Sequence, residues 1–320
     1  MKKLVSIFAA ATLLAATAAS AVVSADEGEK LKLGIIPMDL SVEFFSSTVE
    51  GAQAFCDEHG YELIVVDGAN DPSKQVQGLE NCVAAGCQGV DFRALDPVSA
   101  EDAINEAVGK GIVVSTYPDI PGRSAVLLYD DYQRGVYLAT EAAKWIDEKL
   151  GGEAEVAFLI EPKNDSAMKR IDAFNDVLTE KCPGAKIVGQ AEGFTSDIAM
   201  SSTETLLQAH PDIKVILSSN DAGGLGAFEA VNSAGKASDD FFIGGIDGDI
   251  TALNYIAQDT IYRCSVAPEE LVSEQGYHAM ENIANAILGN DYEEELVVKE
   301  YAITIDNVEA HLAKTPFFKD

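Results

Sequence analysis

The chain has 320 residues, 47% of them hydrophobic, with a formal charge of −31. Such a surface repels nucleic acid phosphates, so DNA- and RNA-binding roles are set aside, and its other effect is solubility. Beyond the first residues no segment is apolar enough to cross a bilayer. Lys2 and Lys3 precede an apolar run, Leu4 to Ala19, and Val23-Ser24-Ala25 offers small residues at signal-peptidase spacing. Ala19-Ser20-Ala21 is a second cleavage candidate. Residues 1–25 therefore read as a cleavable secretory leader. No cysteine stands at the cleavage point to carry a lipid, so a soluble periplasmic protein is expected.

From Leu31 onward strands and helices alternate. Leu31 to Pro37 is an apolar strand, and Phe44 to His59 is an amphipathic helix closed by Gly60. A strand at Glu62 to Val66 leads to a helix at Ser73 to Ala85, closed by Gly86. Val90 to Leu95, Ala100 to Gly109 and Ile112 to Ser115 continue the series as strand, helix and strand. The pattern then restarts. Ala125 to Tyr129 is a strand, Arg134 to Leu150 a helix, and further strands lie at Val156 to Ile160, Lys186 to Gln190, Val215 to Ser218 and Phe241 to Gly244, with helices between them. Thr260 to Ala267 is a strand, Glu269 to Leu288 a helix, and one last strand lies near Leu296 to Ile303. Short apolar strands separated by single helices predict parallel sheets covered on both faces. Two such sets predict an α/β protein of two Rossmann-like lobes, with a ligand cleft beyond the carboxyl ends of the strands.

The five cysteines (Cys56, Cys82, Cys87, Cys182, Cys264) are an odd count, and their pairing cannot be read from sequence. Cys56 and Cys82 fall on apolar helix faces and read as buried thiols. Cys82 and Cys87 lack the second pair or nearby histidine of a zinc motif. The four histidines are scattered, so neither metal nor cofactor is expected. No Gly-x-Ser-x-Gly elbow or phosphate loop occurs, and the Gly223-Gly224-Leu225-Gly226 cluster lacks dinucleotide-binding spacing, so no enzyme is expected.

Several stretches occur together in a telling order. Leu33-Gly34-Ile35-Ile36 precedes Phe44-Phe45 and Gly51-Ala52, and Leu95-Asp96-Pro97 ends the third strand. Asp130-Asp131-Tyr132-Gln133-Arg134-Gly135 opens the second half. Arg170-Ile171-Asp172-Ala173-Phe174, Ser219-Asn220-Asp221, Gly226-Ala227 and Gly245-Ile246-Asp247-Gly248 follow. In this order the chain resembles type I periplasmic solute-binding proteins, in the branch of ribose and galactose binders, over Leu31 to about Ile305. The resemblance implies three hinge crossings, placed near Asp130, Ala267 and Val298. The first lobe would then hold residues 26–130 and 268–297, and the second 131–267 and 298–320. It also implies a monomer that closes on a small polar ligand, a sugar or sugar derivative, and docks on an ABC transporter permease. A sensor feeding a chemoreceptor or kinase would use the same ligand chemistry. Repressors that share the core carry an N-terminal helix-turn-helix, which the leader replaces here.

Residue by residue, the resemblance nominates Asp247, Asn220 and Arg170 as polar ligand contacts. A carboxylate can accept from two neighbouring hydroxyls, and an amide both donates and accepts. A guanidinium fork can hold a ring oxygen and a hydroxyl together. Asn220 could equally cap a helix, Asp247 could bond its own turn, and Asp221 reads as structural. Phe44, Phe45 and Phe194 match aromatic positions that cover a sugar ring. The first lobe departs from the pattern. Val42 replaces a cleft Asn, Tyr117-Pro118 replaces a polar pair, and Ala267 replaces a Gln, so Tyr117 is carried as a ligand-facing candidate. Arg93 stands where relatives have a small polar residue. It would either pair with Asp91 or Asp119, or join Arg170 in bracketing an anionic ligand group such as a sugar acid's carboxylate.

Overall fold

The computed structural model describes residues 30–319, and the predicted leader lies outside them. The first sheet contains β1 (Lys32–Ile36), β2 (Glu62–Val65), β3 (Gly89–Arg93), β4 (Val113–Tyr117), β5 (Ala125–Leu128) and β11 (Glu295–Val297). Their spatial order is β11-β5-β4-β3-β1-β2, all parallel. The second holds β6 (Ala154–Ile160), β7 (Ala185–Glu192), β8 (Ile213–Ser218), β9 (Phe242–Ile246), β10 (Tyr262–Pro268) and β12 (Glu300–Ile303). Its order is β12-β10-β9-β8-β6-β7, with only β12 antiparallel.

Helices cover both faces of each sheet, as the alternation predicts. On the first, α1 (Glu43–His59) and α9 (Val272–Leu288) share one apolar cluster, and α2 (Pro72–Ala84) and α3 (Pro97–Gly109) share another. On the second, α4 (Asp131–Leu150) and α5 (Asp165–Lys181) cover one face. The other face carries α6 (Ser196–Ala209), α7 (Asp221–Ser233), α8 (Ile250–Ala257) and α10 (Val308–Leu312). Local chemistry sets the helix starts. Asp71 and Asp96 accept backbone N–H bonds ahead of Pro72 and Pro97, so α3 begins three residues earlier than its apolar pattern suggests. Gly60, Gly151 and Gly289 end α1, α4 and α9 in the left-handed conformation.

The segment read as one last strand is two. Val297 ends β11 in the first sheet and Glu300 opens β12 in the second, so the chain changes sheet at Val298-Lys299. The other changes lie between β5 and α4, and between β10 and α9. The C-terminal tail differs from the expected assignment of 298–320 to the second lobe. After α10 it returns to the first. The Phe317 N–H donates to Glu274 Oε1 at 3.2 Å, and the Phe318 ring stacks on Tyr277 with centroids 5.5 Å apart. The apolar surface between α1 and α9 gives the Phe318 ring a place to pack, which sequence periodicity does not reveal, while Phe317 stays exposed.

Candidate functional site

The site lies where the strand ends of the two sheets face each other. The second lobe contributes from its strand carboxyl ends. Asn164 and Arg170 follow β6, Phe194 follows β7, Ser219 and Asn220 follow β8, and Asp247 follows β9. The first lobe contributes Met38 after β1, Val42, Phe44 and Phe45 at the start of α1, and Tyr117 at the end of β4. These residues and Arg134 line a small cavity of about 20 Å3. Seven of the eight nominated residues therefore converge on it; Arg93 does not.

Arg93 is fully enclosed, and its Nε donates to Asp91 at 2.9 Å. Side chains two apart on a strand share a face, so β3 itself delivers this partner. Asp119 instead pairs with Arg123 at 2.9 Å. The bracket of Arg93 and Arg170 around a ligand anion is thus absent from this arrangement.

Sequence reasoning missed the centre of the site, a buried charge network. Arg134 in the first turn of α4 lies 2.9 Å from Glu300, 3.4 Å from Asp247 and 3.5 Å from Asp131. Arg170 donates to Asp131 at 2.9 Å through Nη2, to the Ser219 carbonyl at 2.6 Å and to the Tyr117 hydroxyl at 3.1 Å. Gly135 brings the two helices together. A Cβ there would stand 2.5 Å from the Arg170 carbonyl oxygen, so only glycine lets α4 and α5 approach this closely. Burial opposes ionisation of Asp131, but Arg170 and Arg134 outweigh it and hold the carboxyl below its ordinary range. Burial drives Tyr117 up to about 12, so its hydroxyl keeps its proton.

Asp247 sits at φ +144°, a region that L-residues rarely occupy, and such strain concentrates at functional sites. Burial raises its carboxyl to about 7, against the pull of Arg134 and Arg170 and with help from Asp221. A carboxyl raised on folding takes up a proton, so its stabilising contribution is complete below the unfolded value near 4. That contribution is lost as pH rises through about 7. Asp247→Asn removes the effect. The melting temperature of the variant, relative to wild type, should climb between about pH 5 and pH 8. A flat difference across that range would contradict the assignment.

Asn220 serves two roles. Its Oδ1 caps α7 by accepting from the Gly223 N–H at 2.9 Å, and its Nδ2 donates to the Phe194 carbonyl at 2.8 Å. One N–H and one lone pair stay free for a ligand, and the same bond fixes Phe194. Asp221 is structural, as read from sequence. It accepts from the Tyr262 and Ser265 hydroxyls and from the backbone of Gly248 and Asp249.

Glu43 joins the lobes. It stands beside Phe44 on α1 and accepts from the Ile250 N–H at 2.8 Å and the Thr251 hydroxyl at 2.9 Å, at the start of α8. An anion at a helix start is favoured by both the free N–H groups and the dipole. Loss of such a cap costs about 0.5–2 kcal/mol. Glu43→Ala should therefore weaken ligand affinity by roughly 2- to 30-fold through a less stable closed state. Calorimetry checks this; unchanged affinity would show that the latch carries no closure energy.

Two α/β lobes with a polar, aromatic-walled cleft at their facing strand ends define a two-lobed solute-binding protein. Residues 33–291 match the family model described as a periplasmic binding protein domain, and the chain belongs to that family. The ribose import binding protein RbsB of Bacillus subtilis (strain 168) is 29% identical over 88% of this chain and 93% of its own length. The RbsB protein of Salmonella typhimurium is 30% identical over 78% of this chain and 81% of its own. Among solved structures, a Bacillus halodurans C-125 solute-binding protein with bound myo-inositol superposes with a TM-score of 0.79 at 23% identity. The match covers 91% of this chain and 99% of that one.

Proposed function

We propose that the protein captures a neutral polyhydroxylated ligand, a sugar or a cyclitol, by hinge closure and delivers it to an ABC importer. The observation that carries this reading is the pairing of aromatic walls with fixed polar groups in one cleft. Phe44, Phe45 and Phe194 can cover the C–H faces of a ring, while Arg170, Asn220 and Asp247 present donors and acceptors to its hydroxyls. Relatives named for ribose import, and a D-ribose/D-allose-binding protein of Pseudomonas aeruginosa, support the sugar class. In this reading the protein works as a periplasmic monomer and catalyses no reaction. Arg170, Phe194, Asn220 and Asp247 form the second-lobe half of the site, and Phe44, Phe45 and Tyr117 the first-lobe half.

A thermal-shift screen across sugars, cyclitols, polyols, furanones and sugar acids tests the proposal. A ligand that binds only the folded state at 100 times its Kd adds about 2.7 kcal/mol, a shift of several degrees. At least one neutral sugar or cyclitol should give it. Silence from every neutral member would overturn the reading.

A further inference from the structure

The end of α2 places two cysteines against each other. The helix stops at Ala84, Ala85 is its C-cap, and Gly86 follows at φ +83°. The Gly86 N–H donates to the Val83 carbonyl at 3.1 Å, and the Cys87 N–H reaches back to the Cys82 carbonyl at 3.0 Å. This is the Schellman arrangement, in which the side chain three places before the cap meets the one two places after it. In most helices that contact joins two apolar residues. Here it joins Cys82 and Cys87. Both are buried in the same first-lobe cluster with Ile36, Leu79 and Val90. The other cysteines lie elsewhere, Cys56 on α1, Cys182 at the end of α5 and Cys264 on β10.

We propose that Cys82 and Cys87 form a disulfide that staples the end of α2 to the entry of β3 whenever folding occurs in the presence of a disulfide-bearing oxidant. A disulfide needs Cα atoms about 4.4–6.8 Å apart, a span that one backbone N–H···O bond between the two residues keeps within reach. One thiolate attacks the oxidant's disulfide and releases one of its sulfurs as a thiol. The second thiolate then attacks the mixed disulfide, closes the S–S bond and releases the other. Two protons leave the cysteines, and two electrons reduce the oxidant's disulfide to two thiols. In the folded protein both thiols are enclosed, so exchange takes place as the chain folds or when the helix end frays. The staple bears on the cleft. Gln75, on the same helix, donates to the Pro37 carbonyl at 3.1 Å and accepts from the Leu95 N–H at 2.8 Å, which ties the cleft-side ends of β1 and β3. Fixing the far end of α2 holds that clamp in place.

The test refolds the full chain from urea with reduced and oxidised glutathione, then denatures it and alkylates the remaining thiols for intact-mass analysis. Alkylation should reach only Cys56, Cys182 and Cys264, and peptide mapping should recover Cys82 linked to Cys87. The melting temperature of this product should exceed that of the reduced protein by several degrees. Cys87→Val, which keeps the apolar contact, should leave Cys82 alkylatable and show no oxidant-dependent shift. Alkylation of all five cysteines in wild type, glutathione left on Cys82 or Cys87, or a link between another pair would each overturn the proposal.

Discussion

Arg134→Met should lower the unfolding free energy by about 3–5 kcal/mol, the cost of removing one partner from a buried ion pair. Arg134 is fully buried and is the direct counter-ion of Glu300, and it also faces Asp131 and Asp247. Methionine leaves these acids with Arg170 alone, which reaches Asp131 and Asp247 but is not paired with Glu300. At roughly 2–4 °C per kcal/mol, the melting temperature should fall by about 6–20 °C. Lys110→Met, which removes an exposed pair with Glu106, should leave it unchanged. Combining Arg134→Met with Glu300→Gln should cost less than the sum of the single changes, because the double variant no longer buries the orphaned acid. Additive costs in a thermal-unfolding cycle would contradict the network.

The second large effect concerns ligand charge. The network holds two arginines, Arg134 and Arg170, against three carboxyl groups, Asp131, Asp247 and Glu300. Each guanidinium already faces a carboxylate, and Arg93 is committed to Asp91 outside the cavity. Among the described residues that line the cavity, both cations, Arg134 and Arg170, are already paired when a ligand anion enters. Its desolvation would cost several kcal/mol. Calorimetry with a neutral sugar that binds and with the acid of the same skeleton should show at least about a 100-fold preference for the neutral form, or ~2.7 kcal/mol. Equal affinities would mean that the arginines exchange their carboxylate partners for the ligand.

The sequence displayed the lobes clearly because each strand and helix carries its own periodicity. Phe44, Phe45, Asn220 and Asp247 are nominated by the resemblance, and each sits just past a strand or at a helix start, which places it at the cleft. What escaped reading depends on contacts between distant segments. Arg134 and Glu300 meet only because β12 joins the second sheet beside β10, close to α4. The residues from Leu296 to Ile303 read as one strand by their own pattern, and only the resemblance places a crossing near Val298, where the chain does change sheet. Arg93 was read as a charge in need of a partner, and strand alternation supplied Asp91. The tail's return has no local signal, since an aromatic such as Phe318 near a terminus does not name the surface it packs on. Arg134 had one usable clue. It lies inside the Asp130 to Gly135 stretch, and Gly135 is the residue that lets its helix approach α5.

In the proposed function, residues of both lobes hold one ligand in the cleft between them. The most direct measurement is a calorimetric titration of the best neutral ligand against wild type, Phe45→Ala in the first lobe and Asp247→Ala in the second. Hydrogen bonds to a charged group contribute about 1.5–3 kcal/mol each, so Asp247→Ala should weaken binding by roughly 10- to 150-fold. Phe45→Ala should weaken it by tenfold or more through the lost ring contact, on the order of 1.5–3 kcal/mol. Wild-type affinity in either folded variant would show that its lobe does not touch the ligand and would contradict the claim.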